Sequence, residues 1–406
     1  MKRVALLVAL FVCGIAVESA AQNPTFVPGQ SYFGRNQYIE YIAGNSPYIV
    51  SGPHGGDLTP SEIPDRTSGE TVTDSNIMGL SRAISAAVFA REGKYPHIII
   101  CRLKRTKLDA NRDLNEALEG NNPNAIQAWK EFQSFIDTAK QTVIREYGKG
   151  FYVDIHGHGH EIQRLELGYL LSSSSLSLSD NALNGGSYGT SSSIRTLIPT
   201  SGITFSQLLR GPNSLGSMFE SDSFPAVPST TQPNPGSALY FSGGYNTARH
   251  GSSSGGQISG VQIECNYINV RDTETSYKRF AGVFAEAIDY YTALHLFHKP
   301  TVFVANESGV PKEFGLMQNY PNPFNPRTAI SFQLPAPSGV EGSAVSFVRL
   351  KVFDGLGREV ATLVEGEKPA GSYTVTWNAQ NLPSGVYLCR IVAGNYAESK
   401  KMLLMK

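Results

Sequence analysis

The sequence shows no excess of either charge, little cysteine and, after its first residues, no long apolar run. Lys+Arg and Asp+Glu number 34 each among 406 residues, so no net field favours nucleic acid or an anionic membrane as a partner. Four cysteines are too few for a disulfide scaffold. Beyond Ala21 no apolar stretch is long enough to span a bilayer, so we expect no permanent transmembrane segment. The length suffices for two or three domains, each with its own core.

The first residues have the layout of a secretory signal peptide. Lys2 and Arg3 precede an apolar stretch over residues 4–17, and residues 19–21 are small, as a cleavage site requires. The apolar stretch is too short to span a bilayer comfortably. We therefore expect residues 1–21 to be a signal peptide for export.

The mature chain would keep three cysteines, Cys101, Cys265 and Cys389. An odd number leaves at least one thiol free. Cys101 and Cys265 each stand in an apolar, strand-like run. Two interpretations stay open for them: buried free thiols, or a bridge between neighbouring strands.

Strand-like and helix-like segments alternate from about residue 36 to 298. Strands are predicted at 46–52, 95–103, 150–157, 167–173 and 259–266. Helices are predicted around 74–91, with Asp74 as N-cap, and around 123–146 and 274–296. This alternation predicts an α/β three-layer sandwich with a mixed, largely parallel sheet. Between 172 and 258 the Ser, Gly, Asn and Pro content predicts long surface loops.

From Phe314 the pattern changes to alternating strands separated by Gly-containing turns, which predicts a small antiparallel, immunoglobulin-like β-sandwich. The segment resembles the C-terminal sorting domain of the type IX secretion system, on the motifs at 318–326, 373–377 and 385–387 and the basic Lys400-Lys401. The resemblance implies the type IX secretion machinery as a partner and a secreted or outer-membrane-attached protein. The predicted domains are thus a signal peptide at 1–21, an α/β domain at 22–298, a linker at 299–312 and a sorting domain at 313–406.

Two histidines follow apolar strand candidates directly. His54 stands just after strand 46–52 and is followed by Gly55-Gly56, and His156 ends strand 150–157. Hydrolytic zinc needs three protein ligands, commonly two His and a carboxylate, beside a carboxylate base. Because strand ends converge at one edge of such a sheet, both histidines are candidate zinc ligands. We expect the nearby His158 and His160 to be cleft or surface residues.

Further polar residues suit the same chemistry. Asn111 and Arg112 stand side by side in a predicted loop and suit the recognition of a carboxylate; an N-cap and a surface ion pair are the alternative. Glu264 lies in the otherwise apolar strand 259–266, where an unpaired carboxylate would be costly, so it is paired, structural or functional.

These elements, in this order, resemble the N-formylglutamate amidohydrolase family, whose fold is akin to the zinc carboxypeptidases. The matching pieces are Pro53-His54-Gly55-Gly56, Arg105, Asp109-Ala110-Asn111-Arg112, Asp154-Ile155-His156-Gly157, Gly243-Gly244-Tyr245 and Val261-Gln262-Ile263-Glu264. The resemblance implies a zinc ion held by His54, His156 and a carboxylate. It implies Glu264 as general base, with Arg105, Asn111 and Arg112 holding a substrate carboxylate.

Three assignments depend on the surroundings of this set. Glu62 is favoured as the third zinc ligand, with Asp57 as the alternative at a shorter spacing from His54. Asp154 shares the strand face of His156 and would orient it; a hydrogen bond to a backbone amide is the alternative. Arg249 and His250, in a Gly/Ser-rich stretch, are predicted to stabilise the oxyanion or contact substrate; a solvated loop is the alternative.

The sequence therefore predicts a secreted or cell-surface zinc hydrolase that cleaves an amide bond next to a carboxylate. An N-acyl amino acid, a glutamyl peptide or a cell-wall fragment fits such a site outside the cell. A non-catalytic surface binding protein on a degenerate hydrolase scaffold is the alternative.

Overall fold

A computed structural model of the chain describes residues 26–297, 302–305, 313–319, 322–335 and 345–406. The predicted signal peptide lies outside the described residues, as does most of the predicted linker. Within that linker, Val302–Ala305 form a strand that pairs with a C-terminal strand, so this part of the linker prediction is wrong. Its Val-Phe-Val run has the residue types that favour strands. No helix within the described ranges is long and apolar enough to cross a membrane.

One mixed sheet organises the larger, N-terminal part of the chain. Its strands are β1 (Ser31–Phe33), β2 (Ile39–Ile42), β3 (Tyr48–Gly52), β4 (His97–Cys101), β5 (Gly150–Gly157), β6 (Leu165–Gly168), β7 (Ala226–Val227) and β8 (Ile258–Cys265). They stand in the order β1-β2-β4-β3-β5-β8-β6-β7. The central strands β4, β3, β5 and β8 run parallel, whereas β2 and β6 join them antiparallel. The carboxyl ends of β3, β5 and β8 therefore meet at one edge.

Helices cover both faces of this sheet. They are α1 (Ile77–Glu92), α2 (Leu114–Ala117), α3 (Pro123–Tyr147), α4 (Ser173–Leu176), α5 (Asp180–Gly185), α6 (Tyr188–Ser191), α7 (Ile198–Ser201), α8 (Phe205–Arg210), α9 (Leu215–Ser221), α10 (Tyr245–His250) and α11 (Glu274–Thr292). Along β4, Ile98 and Ile100 pack into the core with α1 and α11, and Ile99 and Cys101 pack into the core with α3. A strand buried on both faces has a continuous apolar sequence, which is why β4 reads His-Ile-Ile-Ile-Cys.

Some sequence-based boundaries differ from the structure. The strand predicted over 167–173 is Leu165–Gly168, and it ends before Leu170, whose φ of 65° is incompatible with a strand. Helix α1 begins at Ile77 with Asn76 as N-cap, so Asp74 is not its cap. The helix predicted to end at 296 ends at Thr292 and continues as a wider turn over Ala293–Phe297.

The segment predicted as long surface loops instead contains the short helices α4 to α10. Ser172, Ser179 and Ser214 each accept a backbone N–H hydrogen bond at a helix N-terminus. Serine that caps a helix and serine in a loop give the same composition, so the prediction was wrong here. Buried apolar residues such as Leu183 and Leu208 hold these helices against the core.

Two antiparallel four-stranded sheets form the C-terminal part. Their strands are β9 (Val302–Ala305), β10 (Gly315–Leu316), β11 (Arg327–Leu334), β12 (Val345–Asp354), β13 (Glu359–Pro369), β14 (Gly371–Asn378), β15 (Gly385–Ala393) and β16 (Tyr396–Leu404). One sheet has the order β10-β11-β14-β9 and the other β13-β12-β15-β16. A shared core that includes Phe332, Trp377 and Leu350 lies between them.

All three cysteines of the described residues are free and buried. Cys101 ends β4 and Cys265 ends β8, and two strands of the sheet, β3 and β5, separate them. Burial raises the pKa of the Cys101 thiol to about 12. A buried thiol of this kind behaves as a small apolar side chain, which agrees with the first of the two interpretations.

Gly56 gives a direct test of this packing. A Cβ at this position would lie 2.3 Å from the backbone carbon of Arg102 and 2.3 Å from the carbonyl oxygen of Leu103. We expect Gly56→Ala to lower the free energy of unfolding, measured in urea, by about 1–3 kcal/mol or more. The matched control is Gly282→Ala on α11, where a Cβ meets no atom within 4 Å, and it should stabilise by roughly 0.5–1 kcal/mol. A Gly56→Ala protein as stable as the wild type would show that the backbone at Arg102 and Leu103 can move to accept the added methyl group.

Candidate metal centre

The carboxyl ends of β3 and β5 bring two histidines together. His54 follows β3 by two residues and His156 lies near the end of β5, the strand paired in parallel with β3. The ring centroids are 4.8 Å apart. Both side chains are buried, at 1% and 2% exposure. The two rings meet edge to face, with an interplanar angle of 73°.

Asp74 lies between these imidazoles. Its Oδ2 atom is 3.6 Å from Nδ1 of His54 and 3.6 Å from Nδ1 of His156. The backbone N–H of Gly157 donates to the same oxygen at 3.0 Å. The three residues offer one ligand atom each within 4.8 Å of one another. Two imidazole nitrogens and one carboxylate oxygen form the donor set of a catalytic zinc site with open positions.

The far nitrogens of both rings are held by carboxylates. Nε2–H of His54 donates to Asp109 Oδ1 at 2.6 Å, and Nε2–H of His156 donates to Asp154 Oδ2 at 2.8 Å. This assigns a proton to each Nε2 and turns each Nδ1 toward Asp74. Nδ1 of His54 is buried and has no hydrogen-bond partner among the described residues. In metal sites, the histidine nitrogen that does not bind the ion commonly donates to a carboxylate, and the other nitrogen is left free for the ion. His54 shows both features.

Arg105 fixes the carboxylate behind His54. Its Nε and Nη2 atoms donate to Asp109 Oδ2 at 3.1 and 3.0 Å. The backbone N–H of Asn111 donates to Asp109 Oδ1 at 3.0 Å. The predicted substrate-binding residue Arg105 is therefore engaged with the protein itself, and it positions His54 through Asp109.

The charges in this cluster are strongly coupled. Burial alone would raise the pKa of Asp74, but the interactions with the neighbouring His156 and His54 imidazoles hold that pKa well below its ordinary value. Burial alone would lower the pKa of His156, whereas the Asp154 carboxylate, and then Asp74 and Glu264, raise it well above its ordinary value. The cluster thus favours positive charge at its centre, be it a proton or a metal ion.

Glu264 stands beside this centre on β8. It pairs with His156 across the parallel strands, and its Oε1 lies 4.0 Å from His156 Nδ1. Gln262 Nε2 donates to Oε1 at 2.8 Å. Burial raises the pKa of Glu264 to about 7, and His156 partly offsets this. Glu264 is thus a buried carboxylate with an affinity for protons suited to acid–base chemistry near neutral pH.

A cavity of about 350 Å³ opens onto these residues. Asn111 and Arg112 line it, together with the segment from Tyr240 to Gly244. Nη1 of Arg112 donates to the carbonyl of Asn111 at 3.2 Å. The Arg112 guanidinium forms no ion pair with a carboxylate of the described residues, so it is available to a ligand. The volume falls in the range of small-molecule sites.

The carboxylates predicted as the third ligand lie elsewhere. Glu62 is exposed and accepts a hydrogen bond from the Tyr38 hydroxyl, and Asp57 is exposed as well. After Gly56 the chain leaves the site to pair Leu58 with Leu103. It returns at Asp74, whose backbone N–H donates to the carbonyl of His54 at 3.0 Å. Closeness to His54 in the sequence is therefore a wrong guide to the third candidate ligand. The carboxylate that lies between the two histidines is that of Asp74.

The predicted catalytic pair Arg249 and His250 is not brought to the cavity. Both lie on α10, a helix rather than a loop. His250 is buried, with Nε2–H donating to Gln133 Oε1 at 2.7 Å, and Arg249 pairs with Asp137 on α3 at 3.5 Å. The structure therefore corrects this prediction: both side chains join α10 to α3. The Gly/Ser residues around the helix concealed it in the sequence.

His158, His160 and Glu166 form a second cluster within the described residues. His158 Nε2–H donates to the carbonyl of Arg164 at 2.8 Å, and its Nδ1 accepts the backbone N–H of His160 at 3.1 Å. His160 Nδ1–H donates to Glu166 Oε1 at 2.9 Å. Because both nitrogens of His158 are engaged, this cluster is a hydrogen-bonded support and not a second metal centre.

Three residues of the site were not predicted in their roles. The sequence pattern predicts Asp74 as a helix cap, indicates no role for Asp109, and includes Gln262 only in a stretch that matches a known family. Spacing in the sequence could have indicated two of these roles. Gln262 stands two residues before Glu264, on the same face of the strand, and Asp109 stands two residues before Asn111. Nothing in the sequence near Asp74 indicates that its loop returns to His54.

Comparison with known proteins bears on the C-terminal part. Residues 318–405 match the family described as secretion system C-terminal sorting domain. This segment is a type IX sorting domain, which implies contact with the secretion machinery. The protein is accordingly secreted or attached at the outer membrane on the cell surface. No curated protein matches the chain.

Solved structures add little. The human B7-H4 IgV-like domain is 12% identical and covers 22% of this chain and 95% of its own, at a TM-score of 0.16. A conjugative transposon lipoprotein from Bacteroides eggerthii is 8% identical and covers 23% of this chain and 95% of its own, at a TM-score of 0.16. Similarities at these TM-scores carry no argument about the fold or function of the chain.

Proposed function

We propose that the N-terminal part of the chain is a zinc-dependent hydrolase that cleaves an amide bond next to a substrate carboxylate outside the cell. One observation carries the proposal. The inner nitrogens of His54 and His156 converge on Asp74 Oδ2, while carboxylates hold both outer nitrogens. Such an arrangement fits a divalent metal and leaves a buried nitrogen unsatisfied without one.

His54, Asp74 and His156 would hold the ion. When bound, zinc polarises the amide carbonyl and lowers the pKa of a water molecule to near 7. The protein residues supply orientation: Asp109 and Asp154 fix the two rings, and Arg105 fixes Asp109. The Gly157 N–H holds Asp74 Oδ2 in place between the two rings.

Glu264 is the general base in this proposal. Gln262 holds one of its oxygens, so the carboxylate has a defined orientation beside His156. It accepts a proton from the attacking water and then gives that proton to the leaving nitrogen. Burial raises the pKa of Glu264 and so favours uptake of that proton.

Arg112 recognises the substrate carboxylate. Both candidate arginines line the cavity, but Arg105 already bonds Asp109, whereas Arg112 has no carboxylate partner among the described residues. An exported enzyme meets peptides and cell-wall fragments rather than intracellular metabolites. We therefore infer that the substrate is an N-acyl amino acid or a peptide fragment with a free carboxylate.

Arg112→Met tests this function. We expect zinc-loaded wild-type protein to hydrolyse N-acyl amino acids or dipeptides, and the variant to lose about 10–100-fold in kcat/KM because a charge-assisted hydrogen bond to the substrate is lost. The variant should also stop discriminating free carboxylates from carboxamides. Arg195→Met, at an exposed arginine away from the cavity, is the matched control. Tight substrate binding without any turnover would instead favour the non-catalytic binding protein.

A further inference from the structure

One wall of the cavity is formed by a single chain segment. Residues 240–244 line the cavity together with residues at the strand ends. Three hydrogen bonds tie this segment to β6 and the turn after it: Tyr240 Oη–H to the Leu167 carbonyl at 2.6 Å, Phe241 N–H to Glu166 Oε2 at 2.8 Å, and Leu170 N–H to the Ser242 carbonyl at 2.6 Å. These bonds anchor the segment to β6 and to the turn after it.

Close contacts fix the direction in which the wall runs. A Cβ on Gly168 would lie 2.4 Å from the backbone nitrogen of Gly243, and a Cβ on Gly244 would lie 2.6 Å from Asn111 Nδ2. The Gly244 end thus contacts the loop that carries Arg112. Phe241 precedes Gly244 by three residues, which span up to about 10 Å in an extended chain. Its backbone N–H donates to Glu166, which pairs with Glu264 across the antiparallel strands.

Phe241 forms an aromatic surface at its end of the wall. Its ring stacks on His160 with centroids 4.7 Å apart and an interplanar angle of 11°. His160 is in turn held by Glu166 at 2.9 Å. The Phe241 side chain remains 44% exposed, although it lines the cavity. A supported aromatic face left exposed in a cavity is a site for an apolar or aromatic ligand group.

Arg112, Glu264 and Phe241 follow one another along the wall, and this order would orient a substrate. In the proposed function its carboxylate is held at the Arg112 end, and its scissile amide lies beside Glu264. The acyl group then extends toward Phe241. We propose that Phe241 is a specificity-determining residue and that the enzyme prefers flat aromatic acyl groups over formyl. This inference rests on the proposed function and specifies its substrate class.

A pair of ligands that differ only in the acyl group tests the inference. We expect the wild type to hydrolyse N-benzoyl-L-glutamate with a kcat/KM about tenfold or more above that for N-formyl-L-glutamate, because only the benzoyl ring stacks on Phe241. Phe241→Ala should lose this preference, with about a tenfold fall for the benzoyl substrate and less than a twofold change for the formyl substrate. Phe241→Trp should keep it. Phe89→Ala, at a stacked phenylalanine of similar exposure on α1, is the control and should match the wild type.

A binding measurement separates this inference from the proposed reaction. Calorimetry with zinc-loaded Glu264→Gln protein should show N-benzoyl-L-glutamate bound about tenfold more tightly than N-formyl-L-glutamate, and Phe241→Ala should remove the difference. Equal affinities in the presence of Phe241 overturn the inference, whether or not the wild type turns substrates over. A Phe241-dependent preference in binding, with no hydrolysis of any acyl amino acid by the wild type, supports the aromatic subsite and refutes the hydrolase.

Discussion

Replacing Asp74 with alanine is expected to remove zinc from the protein. We expect about one zinc per wild-type chain and at least about a 100-fold weaker affinity in Asp74→Ala, since the variant loses one of three protein ligands. His54→Ala/His156→Ala should bind no stoichiometric zinc. Metal content after dialysis, measured by mass spectrometry together with a competitive chelator titration, gives both quantities.

Glu62→Ala and Asp57→Ala are the matched controls for this prediction. Both acids follow His54 more closely in the sequence than Asp74 does, but both are exposed. Each variant should keep the wild-type zinc content. Depletion of zinc in Glu62→Ala with retention in Asp74→Ala would reverse the assignment. Unchanged zinc in the double histidine variant would refute the site altogether. Circular dichroism establishes that each variant is folded.

The second large effect concerns Glu264. We expect Glu264→Gln to lower kcat by about 10²–10⁴-fold, the usual contribution of a positioned general base. Glutamine has the same shape and still accepts the hydrogen bond from Gln262, but it cannot take up a proton. Zinc content should therefore stay at the wild-type level. The measurement is steady-state hydrolysis under zinc saturation, with metal analysis of the same samples.

Glu161→Gln is the control, because Glu161 is an exposed acid in the loop after β5 and does not line the cavity. Its kcat should equal that of the wild type. A Glu264→Gln protein with near wild-type kcat would exclude Glu264 as the base. Loss of zinc in that variant would instead place Glu264 among the metal ligands.

The residues that local sequence signals identify are those at the ends of apolar strands. His54 and His156 each follow a short apolar run, and parallel packing of β3 and β5 brings them together. Glu264 stood out as an acid in an apolar strand and lies in the same cavity. The C-terminal sorting domain has motifs along its whole length, and its prediction is confirmed. The mixed sheet followed from the alternation of strand and helix patterns.

Residues placed by long loops were not predictable in the same way. Asp74 is twenty residues from His54, and its position depends on how the chain returns after Leu58 pairs with Leu103. Arg249 and His250 had suitable chemistry, but α10 directs them to α3. The Ser-rich segment had loop composition, yet its serines cap helices. In each case tertiary packing determines the position or conformation of the residues, and local sequence composition does not show it.

The most direct test of the account is crystallographic. Crystals of the zinc-loaded protein, measured at the zinc absorption edge, should give one strong anomalous peak about 2.0–2.2 Å from Nδ1 of His54, Nδ1 of His156 and an oxygen of Asp74. A peak at the cluster of His158, His160 and Glu166, or no peak in crystals grown with zinc, would contradict the proposed metal centre and the hydrolase built on it.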